Sequence, residues 1–343
     1  MFTPKPLIAA ILFALSLNAT AANQVDQSQS GDNNQAFAEQ VNGDGNRIVQ
    51  NQEGYGHRSA IVQSGEANLA QTLQVGVEHT AVIHQYGLAN QAEVRQFESG
   101  NLLNLQQSGH GNDVSVVQNH AWSQAHVDQA GNDNRLTIEQ SEGADFTASV
   151  IGNDNIKTVL QFGGHATVDQ EGDGNSLTLE QRVAPFGGLV TVGQRGDYNT
   201  AQVVQRGERL TSSIALAQEG EANVAEIIQH SAGATVDFGQ DGIGNELAVE
   251  QYARQSSISG LSEGQSNRVE AYQVGEANTA LLDQSGAENV ILANQGAVNS
   301  LIDVAQIGTA NQASLVQSLF DANVRLEATI QQSGMRNVAT VTQ

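Results

Sequence analysis

Glutamine recurs every eleven residues. Gln52, Gln63, Gln74, Gln85, Gln96, Gln107, Gln118, Gln129 and Gln140 are evenly spaced without a miss. Gln fills about one position in nine, so eight successive coincidences have odds on the order of one in ten million. With small slips the series continues through Gln161, Gln170, Gln181, Gln194, Gln205, Gln218, Gln229, Gln240 and Gln251. It then runs on through Gln273, Gln284, Gln295, Gln306, Gln317, Gln332 and Gln343. A chain spaced like this is an array of small units, each burying its apolar side only against its neighbours.

A fuller string, Gln-x-Gly-x-x-Asn, has twice that period. It occurs at Gln63-Gly65-Asn68, Gln85-Gly87-Asn90, Gln107-Gly109-Asn112 and Gln129-Gly131-Asn134. Later copies are Gln170-Gly172-Asn175, Gln194-Gly196-Asn199, Gln218-Gly220-Asn223 and Gln240-Gly242-Asn245. The same residue types stand at Gln273-Gly275-Asn278, Gln284-Gly286-Asn289, Gln306-Gly308-Asn311 and Gln332-Gly334-Asn337. Between them, half-units such as those of Gln74, Gln96, Gln118 and Gln140 mostly lack the Gly or the Asn. One repeat is therefore about 22 residues in two unequal halves, with room for roughly 14 repeats over residues 29–343.

From Asn to the next Gln the residues alternate strictly. In Asn90-Gln-Ala92-Glu-Val94-Arg-Gln96 one face carries Asn, Ala, Val and Gln, and the other carries Gln, Glu and Arg. Period two with small or β-branched residues on one side marks a half-buried strand, and the Gly-rich interval marks a turn. No apolar stripe has helical spacing. Strand, turn, strand repeated in this way predicts an all-β fold. The expected architecture is a β-solenoid of about 14 coils with two parallel sheets ~10 Å apart and rungs ~4.8 Å apart, a rod of roughly 65–70 Å. Equivalent amides then stack rung on rung as ladders, which satisfies inward-facing polar groups that would otherwise be costly. These ladder amides and turn glycines are the candidate structural site.

Four details qualify the pattern. The long Gln181–Gln194 interval, with Ala184-Pro185-Phe186, reads as an enlarged turn, as do Gln205–Gln218 and Gln317–Gln332, while Gln161–Gln170 reads as trimmed. Lys157 falls on an inward position, which predicts a local register slip. His57 and His79 stand where Asn otherwise does. A metal pair or a pH-sensitive contact is one reading, and a neutral imidazole replacing Asn in the ladder is the favoured one. Trp122 and the tyrosines at 55, 86, 198, 252 and 272 fall at turns or outward positions and read as exposed aromatics.

Residues 1–21 have a different character. Lys5, the apolar run Leu7–Leu17 and Ala19-Thr20-Ala21 form an export signal too short to span a bilayer. A short segment, residues 22–28, then precedes the repeats. The chain carries 37 acidic and 14 basic residues, a formal charge of −23. This predicts no nucleic-acid partner and no membrane insertion. With no Cys there is no disulfide or thiolate chemistry. Acids follow the repeat instead of converging, and no catalytic, phosphate-binding or metal motif occurs, so neither enzyme activity nor a cofactor is expected.

These strings resemble the curlin repeat of curli fibre subunits, whose pattern is Ser-x5-Gln-x4-Asn-x5-Gln. Gln63-x4-Asn68-x5-Gln74, Gln85-x4-Asn90-x5-Gln96 and Gln194-x4-Asn199-x5-Gln205 fit it, with Ala70, Ala92 and Ala201 two places after the Asn. The resemblance implies secretion through the periplasm, assembly with itself into amyloid fibres at the cell surface, and a role in adhesion and biofilm. It also implies a second curlin-type subunit and outer-membrane secretion and assembly factors as partners. Main subunit and nucleator both remain open, as does a monomeric spacer. The chain finishes within a good repeat with no capping helix, so an open terminal rung is expected.

Overall fold

The computed structural model describes residues 22–183, 187–207, 212–318 and 325–343. The export signal and Ala184-Pro185-Phe186 lie outside the described residues. The described chain forms 29 strands, numbered in chain order from β1 (Gln24–Asp32) to β29 (Val338–Thr342), and no helix. Odd-numbered strands build one parallel sheet of 15, and even-numbered strands build a second of 14. Each strand pairs with the strand two places on, so the chain climbs one rung for every two strands. This is the β-solenoid of about 14 turns that the period predicts.

Alternation creates each strand. In β7 (Gln91–Ser99) Ala92, Val94 and Gln96 are buried while Gln91 and Arg95 are exposed. The step between rungs equals the sequence period: β4 (Arg58–Glu66) pairs with β6 (Thr80–Leu88) so that Gln63 lies beside Gln85. Inward aliphatics such as Ile61, Ile83, Leu103 and Leu105 form one continuous, thin core. Size is balanced between rungs within it. Phe238 of β20 (Thr235–Ile243) is buried beside Gly260 of β22 (Ser257–Gln265), and a Cβ on Gly260 would run into the Phe238 ring.

The two edges of the solenoid differ. Turns leading from even to odd strands are uniform, with Gly65, Gly87, Gly109, Gly131, Gly152, Gly172 and their successors to Gly334 in unbroken succession. Their φ values run from +99° to +128°. At each one before the last, a Cβ would overlap the next glycine's carbonyl oxygen. The opposite edge varies in residue type and length. The stretched intervals after Gln181, Gln205 and Gln317 all fall there, yet the Gln register is preserved across them (Gln161 beside Gln181, Gln181 beside Gln205). Added length at this edge therefore leaves the strand register unchanged.

Two expectations change. No register slip occurs at Lys157: in β13 (Ile156–Phe162) it lies between Leu136 and Leu177 of the neighbouring strands, and it is 1% exposed. The stacked Asn155 and Gln161 on either side hold the register, and the amine donates to the carbonyls of Ser149 (3.0 Å) and Val168 (3.5 Å). Pairing also starts before residue 29. β1 begins at Gln24 because Gln27 donates to Gln50 (2.6 Å) and Asp26 faces Arg47.

Candidate functional site: amide columns along the solenoid

The glutamines form two columns, one per sheet. In the odd sheet the amide Nε2 of each Gln donates to Oε1 of the next: Gln52 to Gln74 and Gln74 to Gln96 at 2.8 Å, and so on to Gln317 and Gln343 at 3.0 Å. The even sheet repeats this, with Gln63 to Gln85 at 2.8 Å and Gln85 to Gln107 at 2.9 Å. The second N–H of most column glutamines reaches across the core to a backbone carbonyl, Gln63 to Arg47 at 3.1 Å and Gln85 to Leu69 at 3.0 Å. That carbonyl fixes which amide atom is nitrogen and therefore which way the column points.

An asparagine column runs along the uniform edge. Asn90 donates to Gly109 O and Tyr86 O, both at 3.1 Å, while its Oδ1 accepts the backbone N–H (3.1 Å) and the side-chain N–H (3.0 Å) of Asn112. Between column side chains, Gln thus donates toward the later rung and Asn toward the earlier one, while the Asn amide also donates to a glycine carbonyl one rung later. In a buried, low-dielectric core these aligned bonds polarise one another.

Most of the amides expected to stack do so in these columns. Three residues do not belong where their motif suggests. Gln273 stands in the odd column, and Gly275 and Asn278 lie on the variable edge, with Asn278 donating to Ala297 O (2.6 Å). Conversely, Asn46, Asn155 and Asn267, with Gly152 and Gly264, belong to the uniform edge. The motif search misses Asn155 and Asn267 because Val150 and Ser262 replace the preceding Gln. A search for Gly-x-x-Asn alone finds both.

The break at Val150 leaves a trace. Below it Gln129 Nε2, and above it Gln170 Oε1, are buried without a partner. An unmade buried hydrogen bond costs about 1–3 kcal/mol. Lys157 lies in the same region, and burial lowers its pKa to about 7 against the opposing pull of Asp169.

His57 and His79 stack with ring centroids 5.0 Å apart and planes 2° from parallel. Each contacts a carbonyl four residues back through Nε2 (Glu53 O at 3.0 Å, Val75 O at 3.1 Å). Each offers Nδ1 to the backbone N–H of the next rung, His79 and Asn101, at 3.3 Å. Those are the two jobs of Asn in this position, and they require the neutral tautomer carrying its proton on Nε2. Burial, followed by the charge of His57, lowers the His79 pKa to about 4 despite its carbonyl contact. A histidine held below its unfolded pKa contributes stability that is lost as pH falls from 6.5 toward 4. Replacing both by Asn will remove an acid-dependent loss of about 2–3 kcal/mol over that window. Hydrogen exchange in β3 (Arg47–Tyr55) and β5 (Leu69–Val77) at pH 7 and pH 4.5 reads this directly, and an unchanged pH response in the double variant contradicts it.

Acids lie outside the columns. Glu66, Glu139, Asp197, Glu221, Glu246 and Glu276 are all exposed. Among the described residues no group of three or more His, Asp or Glu converges as a metal site. No curated protein matches the chain. The family model of the curlin associated repeat matches residues 65–97 and 99–141, so these consecutive rungs of the solenoid are similar to that repeat.

Proposed function

We propose that this chain is a secreted structural subunit whose solenoids stack end to end into curli-like amyloid fibres at the cell surface, serving adhesion and the biofilm matrix. The observation that carries this reading is the opposed polarity of the Gln and Asn columns. Whichever rung stands last presents Gln N–H donors and Asn Oδ1 acceptors on its later face, with an Asn N–H aimed at the next glycine carbonyl, and Gln Oε1 acceptors and Asn N–H donors on its earlier face. A second copy stacked in the same direction meets donor with acceptor at every column, along with two unpaired strand edges. Two copies joined by their later faces would set Gln donor against Gln donor and Asn Oδ1 acceptor against Asn Oδ1 acceptor. The partners this reading calls for are further copies of the chain, a second curlin-type subunit and outer-membrane secretion factors. Chemistry plays no part in it.

Incubating the purified mature chain tests the proposal. Fibres in electron micrographs with a thioflavin response are expected, and a persistent monomer refutes it. With 37 acids against 14 bases, like charges within a Debye length of ~8 Å oppose stacking. Lag times will therefore shorten from pH 7 to pH 5 and on adding salt or divalent cations. Equal lag times at the two pH values contradict this.

A further inference from the structure

On the outer face of the odd sheet, beside the variable edge, planar side chains line up along the rod axis. Phe162, Arg182, Arg206 and His230 occupy equivalent positions on four successive rungs, and Tyr252 continues the row. The Arg182 guanidinium lies over the Phe162 ring at 5.1 Å. The His230 and Tyr252 rings meet edge to face at 5.3 Å, and Tyr252 and Tyr272 are 6.0 Å apart. The row spans about 19 Å from Phe162 to Tyr252, four rung steps of ~4.8 Å. Tyr252 and Tyr272 are 39% and 40% exposed. The chain has only five Tyr, and two of them stand on adjacent rungs here.

The stripe is also balanced in charge. Glu180 binds Arg182 at 2.8 Å and Arg206 at 2.7 Å, and Glu250 stands beside Tyr272 on the neighbouring strand. Two guanidiniums and two carboxylates cancel within a chain whose formal charge is −23. Flat ring faces with carboxylates and guanidiniums at their margins match a pyranose ring, which offers C–H groups on its face and hydroxyls around its rim. A polyanion would be repelled by the chain as a whole, whereas an uncharged polymer would not. The straight axial row suits an extended chain. We propose that this stripe binds a neutral, linear polysaccharide lengthwise along the rod.

Binding to soluble hydroxyethylcellulose, with alginate as an anionic comparison, tests this on freshly purified mature chain, so the outcome is independent of fibre formation. Wild type will bind the neutral polymer and not alginate. Tyr252→Ser with Tyr272→Ser will weaken binding about tenfold or more, and thermal unfolding will stay unchanged because both side chains point to solvent. Tyr55→Ser with Tyr86→Ser, remote on the rod, will bind as wild type. Absence of wild-type binding, preference for alginate, or equal loss in both double variants overturns the proposal. A Tyr252/Tyr272 variant that binds hydroxyethylcellulose normally but whose fibres no longer bundle side by side also overturns it, because the stripe would then be a contact between copies of this chain.

Discussion

Gly109→Val will disrupt the stack locally and severely. Gly109 has φ +115°, and a Cβ built there would overlap the carbonyl oxygen of Gly131 on the next rung. Relief requires either a changed φ, which undoes the turn, or a wider rung separation, which breaks the ladder bonds on both sides. The backbone strain alone is worth about 1–3 kcal/mol, and the overlap adds a similar amount or more. Rung spacing is common to the whole rod, so relief cannot be confined to one residue. Hydrogen exchange will show lost protection in β6, β8 (Leu102–His110) and β10 (Gln124–Asn132), with distant rungs protected, as expected for a stack whose units contact only their neighbours. Gly193→Ala is the control, since nothing lies within 4 Å of the new Cβ. Equal protection in the two variants contradicts the account.

Lys157→Met will stabilise the middle of the rod. Burial lowers the Lys157 pKa from 10.5 to about 7, so the unfolded chain binds this proton more tightly than the folded one. The sign follows: wild-type stability rises with pH between about 7 and 10.5 and is flat below that range, where both states are protonated. Each unit is worth 1.36 kcal/mol, so the full rise over about 3.5 units is about 5 kcal/mol. Methionine has similar length, no charge and an adaptable shape. The variant will be more stable at pH 7 by about that amount, and the difference will vanish above pH 10.5. Exchange protection of β12 (Asp145–Asn153), β13 and β14 (His165–Glu171) at pH 7, 9 and 10.5 measures it. A variant no more stable than wild type at pH 7 contradicts the prediction.

Period and alternation were enough to read the fold, because a fixed rung step of about 22 residues makes Gln63, Gln85 and Gln107 neighbours whatever lies between them. The same arithmetic exposed the candidate ladders. It did not reveal that the two edges are unequal: Gln273-Gly275-Asn278 has the motif of the uniform edge, and only strand parity assigns it to the other. Nor did it place Lys157, whose burial rests on Ser149 and Val168 carbonyls presented by the facing sheet. Tyr252 and Tyr272 are 20 residues apart, off the main period, so their adjacency emerges only from the pairing of Glu250 with Tyr272. Local spacing encodes the columns, whereas compensation between sheets is a property of the folded stack.

Mass per unit length of the assembled fibre tests the central claim most directly. A single solenoid continued copy upon copy, with rungs ~4.8 Å apart and about 14 rungs per chain, predicts one mature chain for every ~70 Å of an unbundled fibre. A fibre with several chains in that length, or one in which each chain occupies far less of the axis, would contradict end-to-end stacking.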